Sequence, residues 1–557
     1  MGISTTQRIE VSAVPPSSRT FAANPSGGMP PKPPTPAEVA VAPGPSGGGV
    51  IERNILGLLS SQVATWLITL VSLVVVPRRL GAQDVGRLGF ATAFVAFFTL
   101  IGLLGTNTFI VKAVARDRSK VGPYVLNAIV LKLYLCGLLS AVAIALAYVL
   151  GPVFDYGQET KVLIAVMCIG MTFAVVNDAL LAGLQGLERM ARAAAWAAIG
   201  HYVGTGLGLF IVLTSRSLFS YAIALTLISV VPAIANAYSM WPHLRHAGPV
   251  SFGLWKQIAR GGLPFLVWAS FLLIYGTIDI PLLQALSNEE TVGWYTTAYR
   301  WVSTPVFIAS VVLTAYLPSL STDAHNNPAK FAARTNGALR VVFMVTAPLA
   351  IGAALVAGDA ISLAYEADFQ RAVPVLQILA IHIPFAAMSM VLGMALIASD
   401  RQKRWVVVGG LAALTNPLFN LVAIPFAVRT YQNGALGAAV ITVVTELLMI
   451  AGALYLRPPG VLDRATARFI VRCAVAAGLM VPAVVLTSSI PRLEAHVGSG
   501  LLVAVVGLCA EVAVGIVVYV VASIALRTIS LDEVRSYAPR VLAALPLRRT
   551  KKSTNAE

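Results

Sequence analysis

Fourteen runs of mostly apolar residues follow one another along the chain, near 55–77, 88–111, 123–150, 162–184, 193–214, 217–240, 263–286, 293–317, 337–357, 373–398, 405–428, 434–456, 469–489 and 498–524. A run of about 20 apolar residues crosses about 30 Å of hydrocarbon as a helix at 1.5 Å per residue. The polar segments between the runs are short, so the pattern predicts an all-α polytopic membrane protein with about 14 transmembrane helices. Two tails flank it: residues 1–50 hold 10 Pro and 7 Gly with no long apolar run, and a basic segment covers 527–557. The first is expected to be disordered.

The pattern also repeats. "RRLGAQDVGRLGFATAF" at 78–94 aligns with "LQALSNEETVGWYTTAY" at 283–299 through Val85-Gly86 and Val292-Gly293, an offset of 207. "GQETKVLIAV" at 157 parallels "ADFQRAVPVL" at 367, an offset of 210. The shared spacing predicts two six-helix lobes, 51–240 and 255–457, around a central cavity, with two additional helices over 465–526. An even repeat enters the membrane the same way twice, so its symmetry axis follows the membrane normal.

Composition agrees with membrane residence: 57% of residues are hydrophobic, only 11% are charged, and mean hydropathy is +0.80. The net charge of +16 marks loops rather than a nucleic-acid surface. Of the 40 Lys and Arg, 30 fall on the side that carries both tails and 8 on the other, with Lys132 and Arg300 inside runs. That asymmetry predicts cytoplasmic tails. Three of the eight outward cations, Arg78, Arg79 and Arg87, share one loop, "PRRLGAQDVGR". Cys136, Cys168, Cys473 and Cys509 sit in apolar runs without metal-ligand spacing.

Enzyme signatures are missing from the spans and their loops: there is no phosphate-loop or HExxH motif, and His243 and His246 read as solvated loop residues. No cofactor and no metal is expected, and no catalytic residue is assigned. Charges inside the spans carry the information, because one at a helix centre costs about 2.5–3.5 kcal/mol on insertion scales. Asp279 and Arg300 flank the "SNEE" turn at similar depth, where they fit a structural pair and a substrate site equally well. Lys132, Asp178 and Glu446 are further cases, each open to a snorkelling or structural reading. Glu511 in the last span has no identifiable partner in the sequence. Pro264, Pro281 and Pro305 interrupt the helices of the same hairpin.

"RRLGAQDVGRLGFATA", "LQGLERM", "YEADFQRAVPVLQILAI", "ASDRQKRW" and "NPLFNLVAIPFAVRTYQNGALGAAVITVVTELL" occur in the order seen in bacterial polysaccharide exporters. The chain resembles the lipid-linked oligosaccharide flippases of the multidrug/oligosaccharidyl-lipid/polysaccharide exporter superfamily. That resemblance implies alternating access by two lobes and transfer of an undecaprenyl-diphosphate-linked unit across the cytoplasmic membrane for O-antigen or exopolysaccharide assembly. It implies a cationic cavity, which by position points to Arg300 and Lys132, with Arg78, Arg79 and Arg87 at the outer mouth. Asp279 would partner Arg300 or couple transport to a proton or sodium, as would Glu446. Membrane lipids, and a polymerase and export proteins of the same pathway, are the implied partners. A cation-coupled multidrug exporter and a membrane-embedded glycan polymerase or ligase are the alternatives.

Overall fold

The computed structural model describes residues 48–154, 156–489 and 500–528, with side chains from residue 68 onward except at 304, 307–319 and 488–503. Most of both tails therefore lies outside the described residues. Residues 1–60 and 61–557 are two separate compact units, the first described only as helix from Gly48.

Among the described residues the structure is helical and contains no strand. In order the helices are α1 (Gly48–Leu103), α2 (Thr106–Arg116), α3 (Val121–Leu150), α4 (Gln158–Gly186), α5 (Met190–Ser215), α6 (Leu218–Leu244), α7 (Phe252–Thr277), α8 (Asp279–Leu286) and α9 (Glu289–Asn326). They continue as α10 (Pro328–Leu355), α11 (Ala357–Ala364), α12 (Ala372–Ala398), α13 (Gln402–Tyr431), α14 (Gly434–Leu456), α15 (Arg464–Gly478), α16 (Met480–Ser489) and α17 (Gly500–Ala525). All fourteen apolar runs fall on helices. Twelve described stretches are long and apolar enough to span a membrane. That tally treats Ile68–Arg116 as one stretch and omits α9, whose middle side chains are not described.

Helices α2 to α6 pack chiefly on one another, and α12 is the centre of a second group that includes α9, α10, α13 and α14. These are the two lobes. The segment expected as a loop at 78–87 is instead helical, and the break is confined to Gly81, with φ 81° and ψ 168°. Glycine adopts that positive φ without a Cβ clash, so one residue suffices to turn the chain. In the second lobe a break separates α7 from α8 at Ile278. Pro281 explains it, because its ring clashes with the carbonyl four residues back, at Thr277, where α7 ends. Pro482 divides α15 from α16 by the same rule, since α15 ends at Gly478.

Candidate functional site

The repeat alignment becomes a physical contact. A Cβ placed on Gly86 would lie 1.7 Å from the carbonyl oxygen of Glu289, and one on Gly293 would lie 1.9 Å from that of Ala82. Both Gly86 and Ala82, moved by the offset of 207, land on Gly293 and Glu289, so the contact is reciprocal. The backbones of the two hairpins touch here. Only glycine permits this approach, the small-residue packing that membrane helices use when apolar burial supplies no drive.

Polar groups seal the rim of this contact. Glu289 accepts hydrogen bonds from Arg87 Nε (2.8 Å), Gln83 Nε2 (3.2 Å) and Thr160 Oγ1 (2.7 Å). Arg87 also pairs with Asp84 at 2.9 Å and with Glu159. Above it, the segment between α11 and α12 ties down both hairpins. Asp368 accepts the Ala82 N–H at 2.7 Å through its carboxylate, capping the second arm of α1, and its carbonyl accepts from Trp294 Nε1 at 2.7 Å. Tyr365 donates to the Leu73 carbonyl at 2.9 Å.

At the opposite end α2 meets α7. A Cβ on Gly105, whose φ is 62°, would be 2.5 Å from the Gly262 carbonyl oxygen, and one on Gly262 would be 2.2 Å from that of Leu104. The first and second lobes are thus in backbone contact at both ends of the seam.

A second polar cluster lies inside the second lobe. Asp279, in the first turn of α8, is 3% exposed. Its Oδ2 accepts from Tyr295 at 2.7 Å and lies 3.0 Å from the Thr442 hydroxyl, while Oδ1 accepts from Asn420 Nδ2 at 2.7 Å. Asn420 also bonds Asn416, one turn earlier on α13, at 2.9 Å. The Asn420 Oδ1 has no partner although it is buried. Carboxylate, amide and hydroxyl oxygens together form a donor set suited to a hard cation. One turn below Thr442 on α14, Glu446 is hydrogen-bonded by Tyr275 and stands 3.8 Å from His382 Nδ1. Among the described residues no group of three or more His, Cys, Asp or Glu is placed to hold a metal ion.

The structure separates one expected pair and buries one candidate site residue. Asp279 does not pair with Arg300: Arg300 is five residues beyond Tyr295 on α9, about 140° around the helix and about 7.5 Å further along. There it lies within electrostatic range of Tyr221 of α6 and of Tyr365. Lys132 is not presented to substrate in this structure, since its side chain is fully buried and bonded to Asp178 Oδ2 at 2.6 Å. Asn107 completes that pair by donating to Asp178 Oδ1 at 3.1 Å, joining α2, α3 and α4. Lys132→Met is expected to lower stability by about 3 kcal/mol by stranding the carboxylate. Lys132→Met with Asp178→Leu should restore most of it, as read by thermal unfolding in detergent.

Of the three arginines expected at the outer mouth, Arg87 is held by the carboxylates, while Arg78 and Arg79 are exposed and Arg78 reaches the Leu363 carbonyl at 3.5 Å. A cavity of about 360 Å³ between the second arm of α1, α4, α6 and α7 is lined partly by hydroxyls, among them Thr92, Thr99, Thr226 and Ser229. Another of about 670 Å³ opens between α9, α10, α16 and α17 and includes Pro305, Pro348, Met480, Glu511 and Tyr519 in its walls. Neither has Lys or Arg among its lining residues, unlike the cationic cavity expected. The added helices form one wall of the larger cavity, which also gives Glu511 a place.

Two lobes, an added helix pair and reciprocal contacts along one seam define a helical multi-span membrane protein. Residues 51–322 match the family model described as polysaccharide biosynthesis protein, and residues 255–506 match the one described as lipid II flippase MurJ. The two matches overlap and together run from residue 51 to residue 506. A solved structure of lipid II flippase MurJ in an inward closed conformation superposes with a TM-score of 0.66 at 13% identity, covering 87% of this chain and 100% of that one. An inward-facing multidrug resistance MATE family transporter of the MOP superfamily gives 0.57 at 18% identity, covering 70% and 93%. No curated protein sequence matches the chain.

Proposed function

We propose that this protein moves an undecaprenyl-diphosphate-linked oligosaccharide from the inner to the outer leaflet of the cytoplasmic membrane, by alternating access, for surface or exopolysaccharide assembly. The observation that carries this reading is the apolar cavity of about 670 Å³ between the second lobe and the added helices. A polyprenyl chain needs such a wall, whereas its diphosphate head needs a polar path because it is too costly to strand in hydrocarbon. The MurJ match reaches residue 506 and so includes α15 and α16, and the likeness to a MATE transporter covers less of the chain.

Arg300 is the residue proposed to meet the diphosphate, because it lies on α9 at the seam where α6 and the α11–α12 segment approach. Moving negative charge outward is favoured by an inside-negative potential at about 2.3 kcal/mol per charge per 100 mV. The Asp279 cluster supplies a place for a coupling cation, and Glu446 with His382 a second polar station on the same lobe. A polymerase and export proteins that take the delivered unit are the proposed partners.

Arg300→Ala, inserted at the wild-type level, is expected to abolish surface polysaccharide and leave lipid-linked units on the inner leaflet. Normal polymer in that variant would remove Arg300 from the mechanism. The likeness to a MATE transporter favours drug export as the second reading. Resistance to cationic drugs on overexpression, with no polysaccharide phenotype, would select it.

A further inference from the structure

Helix α15 carries Arg464, Arg468 and Arg472 at intervals of four residues. Such spacing stacks the side chains on one face within about 80° of one another, at steps of about 6 Å. All three are exposed, and among the described residues none is in an ion pair. The opposite face is already committed. Asp463 caps the helix by accepting the Thr466 N–H at 2.7 Å, which holds its carboxyl below the usual carboxylate range. Arg340 of α10 donates to Thr466 Oγ1 at 3.0 Å and lies over the Phe469 ring, while Thr466, Cys473, Ala476 and Ala477 are buried.

The arginine face therefore looks away from the protein. Val475 continues that face of α15, and Leu479 and Leu486, past the break into α16, are also exposed. Three guanidinium groups above a lipid-exposed apolar strip have the polarity of one leaflet of a bilayer read from headgroup to acyl chain. Arg472 lies two turns inside the helix, and snorkelling lifts its charge to the level of Arg468. That move crowds like charges where low dielectric and weak screening leave their repulsion strong. An anion between them removes the conflict, and a guanidinium pair matches phosphate geometry.

We propose that this face of α15 binds an anionic phospholipid of the leaflet that the charge count places in the cytoplasm. Its phosphate sits between Arg468 and Arg472, and an acyl chain lies along Val475, Leu479 and Leu486. The lipid is separate from the transported one, because the arginine face points away from the cavity that α16 lines on its other side.

The test compares full-length wild type with R464Q/R468Q/R472Q in detergent, counting phosphatidylglycerol and phosphatidylcholine adducts by native mass spectrometry. At equal lipid concentration the variant is expected to hold at least fivefold less phosphatidylglycerol, with phosphatidylcholine unchanged. K403Q/R404Q, which removes exposed charge elsewhere on the same side, should retain it. R472Q alone serves as the variant if the triple substitution does not fold. Equal phosphatidylglycerol retention by wild type and variant overturns the proposal. So does a variant that loses farnesyl diphosphate binding but keeps phosphatidylglycerol, because the face would then serve the substrate headgroup.

Discussion

Gly293→Leu is expected to reduce transport to below a tenth of wild type while both lobes remain folded. The first carbon of the new side chain would start 1.9 Å from the Ala82 carbonyl oxygen, and that obstacle is backbone, which cannot rotate away. The two helices must part, and parting them breaks the contact of Gly86 with Glu289 and strips the shield from the Arg87 cluster. The predicted consequence is a protein held open at that end. A cysteine introduced by Ala91→Cys, at a position buried beneath the contact, should then react with an impermeant thiol reagent in an otherwise cysteine-free chain. The control is Gly276→Ala on α7, where nothing lies within 4 Å of the added carbon. Helix propensity makes that change neutral or stabilising by about 0.5–1 kcal/mol. An unreactive thiol at position 91 together with normal transport in Gly293→Leu would show that the contact can be loosened without consequence.

Asp279→Asn is expected to uncouple transport from any ion gradient and slow it at least tenfold, without unfolding the protein. The amide keeps the shape and one acceptor for Tyr295 or Asn420, but it removes the charge to which Tyr295, Thr442 and the Asn420 Nδ2 donate. Asp279→Ala should differ in kind. It leaves an Nδ2 hydrogen of Asn420 without its acceptor, at about 1–3 kcal/mol, so its thermal midpoint should fall where that of Asp279→Asn does not. Flux into proteoliposomes with and without imposed sodium and proton gradients separates the two effects. Gradient dependence preserved in Asp279→Asn would move coupling to Glu446 or to the membrane potential.

The parts legible from sequence were those that depend on local pattern. Apolar run length placed the helices, and the offset of 207 brought Gly86 opposite Gly293 before their meeting was visible. The sequence missed what depends on distance along the chain. Arg87 read as an exposed cation because Glu159 and Glu289 lie 72 and 202 residues away. Asp279 and Arg300 share a hairpin and a depth, but helical phase turns them apart, and phase is lost when positions are judged by depth alone. Asn416 and Asn420 carried a usable signal: two amides one turn apart on an apolar span mark an inward-facing polar stripe. Spans 13 and 14 fall outside the repeat, so no internal comparison showed which of their faces was occupied.

The reciprocity of the glycine contact has the form of an isologous interface, in which one patch meets a second copy of itself. Position 82 touches 293, and position 289 touches 86, as two identical subunits would do about a dyad. The chain is therefore organised as a tethered dimer of its own half. Joining the halves through the stretch between α6 and α7 fixes their stoichiometry, and it frees each copy to diverge. The divergence is visible: the Asp279 cluster belongs to one half only, while the surface that holds the halves together still obeys the symmetry.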